Sequence, residues 1–596
     1  MLQPQIKVKI EKKIEEEQSN SESDSNLESE SDEEIIPDKQ IIPQKSLGRQ
    51  FAEIQEGQFL ERKLRVRKKT EKGVAYNADL KKTKGCSAIL IPKTLSQARA
   101  STESQQWEEA INTEWNAMFS NSVFEFVDRP VDRKIVKSKW VFDKKVNEQG
   151  IITRYKARLC AKGFTQTKGV DYDLTCAPTI DRSTINLLLC YCLEKNLIVK
   201  QFDVQTALLQ ADLKEEILME VPEGFKDKYP KNRVIRLLRA IYGLKQSSRA
   251  FNEKLTQTMI LLGWRQLMSD QCVFQKNGDV LAAFVDDCFV GIKDDISYTV
   301  LLEQLSKHLK IVDLGAIKHF LKISVEYDVG RKWCKLSQPV FIEEIISNTG
   351  MESAFGKFTV LDPHTKLEKL DDSPVIEKPY QAVVGQLIYL AVCTRPDIYF
   401  AVVKLSQFNN CYRQVHWNQL MHLVRYVKAT KNEGLIIRPG DFRIRTFTDS
   451  DWGGNLDDRR STSGVVVMLG ESPILWKSKV QKSVAHSTME AEFQALAKGV
   501  SFTIWISEML KELGYDHPFT DLFCDNQGCI AALKGDNYKG RSKHNQIHFH
   551  IVQEKVKEKK MVINYVHSQD NIADLLTKVL TRAKLQPLKE KLGVGV

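Results

Sequence analysis

The sequence predicts an α+β, multidomain protein in which two separate sets of acidic side chains stand at the ends of strands. Three observations lead there. The chain has 596 residues, 42% hydrophobic and 9% aromatic, enough for several filled cores. Residues 281–291 run from an apolar stretch through Asp286-Asp287 into a second apolar stretch, the pattern of a β-hairpin with two acids at its tip. Far downstream, Phe447-Thr448-Asp449 and Leu522-Phe523-Cys524-Asp525 repeat the motif of a strand ending in acid, in a second compact region that starts near Arg443.

Charge narrows the partners. The formal net charge is +10, unevenly spread. The first forty residues are acidic and Ser-rich, and their low apolar content predicts disorder. A basic stretch, residues 62–69, follows, and the remaining body is more basic than the total suggests, which suits a polyanionic partner, nucleic acid first. The 12 cysteines are scattered without a Cys-x-x-Cys pair, and Cys160, Cys176, Cys190, Cys192 and Cys288 lie in apolar stretches as buried free thiols would. That usage fits a reducing compartment. No stretch is apolar and long enough to span a bilayer, and the first thirteen residues lack the apolar segment of a secretory signal.

In chain order, Trp107, Ile111, Trp115 and Met118 recur at helical spacing and mark the expected start of the folded part. Residues 139–145 lead through the turn signal Asn147-Glu148-Gln149-Gly150 into residues 154–163, a hairpin whose second arm is strongly basic. Residues 197–202 read as a strand ending at Asp203. Residues 241–251 read as a turn entering a helix, followed by the hairpin of Asp286 and Asp287. The pattern loosens over 350–379, and a helix over about 417–430 precedes the second compact region.

If the strand of Asp203 lies beside that hairpin, three carboxylates converge. Adjacent carboxylates repel, and a hard divalent cation such as Mg²⁺ relieves the cost. Three of them can hold two ions for in-line phosphoryl transfer. Lys156, Arg158 and Lys162 on the basic arm are candidates to hold a triphosphate, and Gly243 and Gln246 sit in a turn where backbone can approach a templating base pair.

From Trp107 to about Gly291 the chain resembles the reverse transcriptase of copia-type LTR retrotransposons. The resemblance rests on Lys139-Trp140-Val141-Phe142, Arg154-Tyr155-Lys156-Ala157-Arg158-Leu159, Lys162-Gly163-Phe164-Thr165-Gln166, Gln201-Phe202-Asp203-Val204-Gln205-Thr206-Ala207, Tyr242-Gly243-Leu244-Lys245-Gln246 and Phe284-Val285-Asp286-Asp287, in the family's order. Residues 313–321 and Cys393-Thr394-Arg395-Pro396-Asp397 extend it downstream. It implies a right-hand polymerase fold, with a ferredoxin-like palm, fingers and thumb, and makes Asp203, Asp286 and Asp287 the metal-binding catalytic aspartates. In the second region the acids fall on strand, helix, strand and helix, an order that resembles an RNase H-like α/β domain with a mixed sheet. Asp449, Glu492, Asp525 and Asp574 match its four ligands. Glu492 is preferred to Glu490 because Glu-x-x-Ala is the matching pattern; Glu490 and Asp451 read as solvated. Ser487 and Glu490 have capping-box spacing. His544, His548, His550 and His567 lack a cysteine pair and read as core or substrate-facing rather than zinc ligands, with His567 a candidate for product release.

The chain departs from the family at several places. Leu208 stands where an aromatic steric gate is expected, five residues after the first aspartate. Phe284 replaces Tyr, Cys176 an aromatic, Lys322 a Gly, Gln546 an acid, and Val579 the Pro of a Lys-Pro pair. No protease motif and no zinc-knuckle spacing is present. The expected organisation is a largely disordered acidic-then-basic linker over 1–100, a reverse transcriptase over 107–350, a connection segment over 351–440, an RNase H-like domain over 441–580 and a C-terminal tail over 581–596. The resemblance implies an RNA-directed DNA polymerase with a linked ribonuclease H, each site using two Mg²⁺ or Mn²⁺ ions. Its partners would be RNA template, DNA primer, RNA-DNA hybrid, dNTPs and other Pol and Gag-type products of the same element. The implied location is the cytoplasm, within virus-like particles, with access to the nucleus open. The rivals are a decayed or domesticated copy that binds nucleic acid without catalysis, and a nuclease whose polymerase is dead.

Overall fold

A computed structural model describes residues 91–146, 152–230, 232–369, 373–515, 520–535 and 543–596. The acidic and basic stretches of the linker expected over 1–100 lie outside the described residues, which begin at Ile91. Folded structure begins before Trp107: Thr94 caps the Leu95–Arg99 helix, and Leu95 and Ala98 join the first core. The Ser104–Ser120 helix then buries the predicted stripe of Trp107, Ile111, Trp115 and Met118. Trp107 meets Phe142 and Tyr155 edge-on, at ring-centroid distances of 5.3 and 4.8 Å. Those rings belong to the predicted hairpin, the antiparallel pair Ser138–Val146 and Ile152–Ala161. A three-stranded sheet of Phe124–Asp128, Arg233–Arg239 and Asp212–Met219 closes the same core.

The next sheet positions the first acids. Its six strands run in the order Ile311–Ala316, Ile198–Val204, Asp287–Ile292, Asp279–Phe284, Val273–Lys276, Arg265–Gln266, all neighbours antiparallel. Helix Ser247–Leu261 crosses from Ile198–Val204 to Asp279–Phe284, and helix Asp295–Ser306 from Asp287–Ile292 to Ile311–Ala316. This is the split βαβ–βαβ arrangement of a ferredoxin-like fold, as expected for a palm. Strand periodicity divides the faces. Phe202, Val204, Leu281, Ala283, Cys288 and Val290 face the two crossover helices. Val199, Val280, Ala282 and Phe289 face the Arg182–Glu194 helix.

Downstream, a five-stranded sheet joins His319–Phe320, Ile323–Asp328, Trp333–Ser337, Gly434–Ile437 and Val594–Gly595. The segment over 581–596, expected as a tail, is a helix, Arg582–Lys591, and a strand that pairs with Gly434–Ile437. Lys589 anchors it on Glu433 at 2.8 Å. Beneath lies the Cys393–Asp397 segment of the sequence resemblance: Arg395 clamps Asp397 through two hydrogen bonds of 2.9 and 2.8 Å, and both side chains are fully buried. Tyr426 and Thr430 satisfy the remaining polar atoms. The pair holds the turn after helix Tyr380–Cys393 against helix Gln414–Ala429.

The last sheet runs Ser472–Val480, Thr462–Leu469, Ile444–Ser450, Thr520–Cys524, Met561–Tyr565; the first three are antiparallel and the last two pairings parallel. This mixed order, with the long Thr488–Glu512 helix on one face, is the expected RNase H-like architecture. One continuous core runs from the palm helix Arg182–Glu194 through the connection into this domain. The Asn186 amide donates to the Ile474 carbonyl at 3.2 Å, and Trp505 Nε1 donates to the Ser269 carbonyl at 3.2 Å.

Candidate active sites

Register brings the palm acids together. Asp203 lies directly opposite Asp287 in the antiparallel pair, and the two-residue turn Val285-Asp286 links the hairpin strands. Val204 N–H donates to the Asp286 carbonyl at 2.9 Å, folding the turn over the neighbouring strand. Val285 has φ 57°, a left-handed conformation that a β-branched residue adopts only under strain, as active-site turns do. The three aspartates are half-buried. Burial raises the pKa of Asp203, Asp286 adds to it, and Lys156 opposes it. Burial likewise raises Asp287, with Asp286 and Asp203 adding. Burial and neighbouring carboxylates hold Asp203 and Asp287 above the usual carboxylate range, and a divalent cation, suited to hard oxygen donors, would reverse that balance.

The basic arm faces this cluster. Lys156, Arg158 and Lys162 alternate along one side of Ile152–Ala161 and its continuation, all half-buried. Burial, then Arg158, Arg154 and Lys145, lower the pKa of Lys156, and Glu114 opposes them, as crowded cations with a single acid nearby should. The Arg158 guanidinium lies 5.2 Å from the ring centre of Tyr242.

The turn at Tyr242-Gly243 meets protein backbone. Ala161 N–H donates to the Tyr242 carbonyl at 2.7 Å. Gly243 has φ +90°, and a Cβ there would stand 2.2 Å from the Ala161 carbonyl oxygen; one on Gly163 would stand 2.1 Å from that of Gly243. The glycines let turn and basic strand interlock, and Gly243 itself stays exposed. The availability expected of Gln246 needs correction. It is 3% exposed, accepts from Gln166 Nε2 at 3.1 Å and donates to the Asp171 carbonyl at 2.8 Å, so its amide serves the protein. Leu208 is 7% exposed, in the Ala207–Gln210 turn, within the core that contains Phe202, Phe251 and Leu255. Tyr242 packs against that same core and is half-buried. Burial raises its hydroxyl pKa, Arg158 opposes that and Asp286 adds to it. Sequence reasoning quoted Tyr242 without a role.

The nuclease acids are drawn closer. Asp449, Asp525 and Asp574 offer oxygens within 4.8 Å of one another, and Glu492, Cys524 and Asp525 form a second such group. Among the described residues the palm aspartates do not close to that distance. Asp449 ends Ile444–Ser450 and Asp525 follows Thr520–Cys524. Glu492 comes from the long helix, where Gly499, two turns on, lets that helix settle on Thr448: a Cβ there would lie 2.8 Å from the threonine methyl. Asn571 accepts from Ala573 N–H at 3.2 Å and donates to the Thr448 carbonyl at 3.0 Å, fixing the short Ile572–Leu576 helix that carries Asp574.

Burial drives Asp574 up to about 7, with Asp449 adding and Lys578 opposing. Burial also raises Asp449 and Glu492, to which Cys524 adds. Glu492 accepts from Ser450 N–H at 3.1 Å, and Ser568 donates to Asp525 at 2.6 Å. Lys578 Nζ bridges Asp449 at 3.2 Å and Asp574 at 2.9 Å, and the Thr577 hydroxyl also donates to Asp449. Cys524, Ser568, Thr577 and Lys578 escaped sequence reasoning; the i,i+4 spacing of Asp574 and Lys578 was the available signal.

Two acids expected as solvated are not. Glu490 is 7% exposed and accepts from His486 N–H at 2.9 Å, while Ser487 accepts from Glu490 N–H at 3.2 Å, a capping arrangement that draws the side chain inward. Asp451 accepts from Thr462 N–H, and burial raises its pKa to about 6. His550 and His567 are exposed and His548 half-buried, and among the described residues the close ligand groups include no histidine. The side chains of His544 and Gln546 lie outside the described residues.

A ferredoxin-like palm with three strand-end aspartates, joined to a mixed sheet with four converging acids, defines a nucleic-acid polymerase class with an appended nuclease domain. The reverse transcriptase (RNA-dependent DNA polymerase) family matches residues 121–363. The Retrovirus-related Pol polyproteins from transposon TNT 1-94 of Nicotiana tabacum and transposon RE1 of Arabidopsis thaliana are each 34% identical over 84% of this chain, which covers 39% and 34% of their lengths. The chain belongs to the copia-type retrotransposon Pol polyproteins, to their reverse transcriptase and RNase H portion. It thus spans well under half of these curated relatives. A foamy viral protease-reverse transcriptase in complex with ds DNA aligns over 77% of this chain and 70% of its own, with TM-score 0.45 and 12% identity. Among the described residues no helix is long and apolar enough to cross a membrane.

Proposed function

We propose that this chain is an RNA-directed DNA polymerase linked to a ribonuclease H that cuts the RNA strand of RNA-DNA hybrids. The observation that carries the reading is the register of Asp203 opposite Asp287 within a ferredoxin-like sheet. Divalent cations held by each acid set, Mg²⁺ or Mn²⁺, would activate the attacking oxygen, a primer 3′-hydroxyl at the palm and water at the nuclease, and stabilise the leaving oxygen. Asp203, Asp286 and Asp287 hold the ions at the palm; Asp449, Glu492, Asp525 and Asp574 hold them at the nuclease. Lys156, Arg158 and Lys162 bind the incoming triphosphate, since Lys156 acts on Asp203 across the site and Glu114 alone offsets a row of several cations. Template RNA, primer DNA, hybrid and dNTPs are the substrates, and other Pol and Gag-type products of the element are the partners, in cytoplasmic particles.

The carboxylate sets are intact, which favours the enzyme over a non-catalytic copy. Leu208, in place of a gate aromatic, is the observation on the other side. Primer extension on an RNA template with Mg²⁺ or Mn²⁺, run beside cleavage of a labelled hybrid, separates the readings. Both activities are expected. Cleavage without extension means a dead polymerase, and neither activity with retained nucleic-acid binding means a domesticated binder.

A further inference from the structure

Lys578 is the cation closest to either acid set. Its ammonium lies 2.9 Å from one Asp574 oxygen and 3.2 Å from one Asp449 oxygen, between two carboxylates that also share a close group with Asp525. The lysine follows the Ile572–Leu576 helix, and its N–H donates to the Asp574 carbonyl at 3.1 Å, so its backbone is fixed relative to that ligand. The side chain is 38% exposed and has room to leave. Among the described residues no palm aspartate has an ion-pair partner, although the basic arm stands nearby.

We propose that Lys578 is a built-in counter-ion of the nuclease site, whose ammonium takes the space between Asp449 and Asp574 that a divalent cation would share, so that the metal must displace it to bind. The inference rests on the reading of these acids as metal ligands. Two positive centres cannot share a gap bounded by two carboxylates at hydrogen-bonding distance, because their mutual repulsion cancels what each gains. Lys578 therefore holds the acids assembled without metal and weakens the metal's grip. The palm lacks such a competitor, so the nuclease should need more divalent cation than the polymerase.

The test is Mn²⁺ binding by the full chain, read by electron paramagnetic resonance of the free ion. Asp286→Asn in the background silences the palm. Lys578→Gln is expected to lower the nuclease Kd about tenfold, a change of about 1.4 kcal/mol, and Lys578→Arg to leave it near the parent value. A Kd unchanged or raised by Lys578→Gln, with binding still measurable, overturns the counter-ion role and spares the ligand assignment. No nuclease-site binding in parent or variant overturns both. A second variant guards against misfolding: Lys578→Met, checked with Lys578→Gln by thermal unfolding, should lower the nuclease Kd as Lys578→Gln does. Two folded variants that both keep the parent Kd overturn the proposal.

Discussion

The palm and the nuclease hold their carboxylates in opposite electrostatic states. At the palm three half-buried aspartates face a row of cations on another element, with no ion pair closing the gap. At the nuclease Asp449, Glu492 and Asp574 are buried and Asp525 half-buried; Asp449, Asp525 and Asp574 are drawn within 4.8 Å of one another, and a lysine four residues from Asp574 bridges it to Asp449. The difference follows from what each proposed substrate brings. A nucleoside triphosphate carries its own phosphates, which supply part of the ligand sphere of a hard cation. Loose aspartates suffice there, and triphosphate-binding cations belong on the facing strand. A hybrid backbone offers one phosphate at the cut, so the protein must preassemble more of the sphere. Preassembled acids repel without metal, and an internal cation is one way to keep them folded.

The largest expected effects break one half and spare the other. Asp286→Asn keeps shape and loses charge, and should lower primer extension by at least about 10³-fold, on the order of the roughly 4 kcal/mol that a lost charge-stabilising group costs. Hybrid cleavage should stay within about twofold of the parent. Asp525→Asn should do the reverse. Loss of both activities in either variant would mean that the sites are not independent.

Gly243→Ala should come next. Its Cβ would meet the Ala161 carbonyl oxygen at 2.2 Å, at φ +90°. Strain in that region alone costs about 1–3 kcal/mol, and the clash must also push the turn off the basic strand. Extension should fall and the urea midpoint drop while hybrid cleavage persists. A variant with normal extension would show that the interlock of turn and strand is dispensable.

A smaller effect separates the two sites by pH. Asp574 is raised to about 7 and Asp451 to about 6 by burial, above their unfolded values. Between about pH 4 and pH 7 these two groups thus bind more protons in the folded metal-free protein than in the unfolded chain, so the stability they contribute falls as pH rises through that window. Saturating Mg²⁺ should flatten the slope that Asp574 contributes. Asp270, raised to about 6 on the palm side and held by Thr184 at 2.6 Å, supplies a slope that metal should leave in place. Urea titrations across pH, with and without Mg²⁺, measure both; a slope indifferent to the metal would mean that the nuclease acids do not bind it.

Much of this architecture was legible because strands that end in acid announce themselves. Phe202-Asp203, Phe284-Val285-Asp286-Asp287 and Phe447-Thr448-Asp449 fall where apolar alternation stops, and a ferredoxin-like or RNase H-like order then follows from element sequence. What stayed hidden depends on contacts between distant segments. Gln246 looks available in a turn, but its partners Gln166 and Asp171 lie 80 and 75 residues away. Glu490 looks solvated until the Thr488–Glu512 helix is laid on the sheet. The last fifteen residues carry no strand signal of their own, and Val594 pairs only because Leu435 offers an edge.

Leu208 carries the smallest predicted effect and bears on the palm alone. The family resemblance implies an aromatic there, beside C2′ of the incoming sugar. Leu208 is instead 7% exposed inside the core shared with Phe251 and Leu255, while Tyr242 packs on that core and is half-buried. Leucine is shorter than a ring and leaves more room for a ribose hydroxyl. Leu208→Phe should therefore raise discrimination against ribonucleotides by about tenfold, roughly 1.4 kcal/mol of transition-state selectivity. Overpacking costs about 1–3 kcal/mol of stability, to be checked by thermal unfolding. Tyr242→Ala provides the contrast, because the Tyr242 ring packs on the same core as Leu208 and is the aromatic available to stand in for it. Single-nucleotide insertion with matched deoxy- and ribonucleotides ranks the two. Selectivity that rises with Leu208→Phe and ignores Tyr242→Ala places the gate at 208. Selectivity that ignores Leu208→Phe and collapses with Tyr242→Ala places it on the turn that the basic strand locks down.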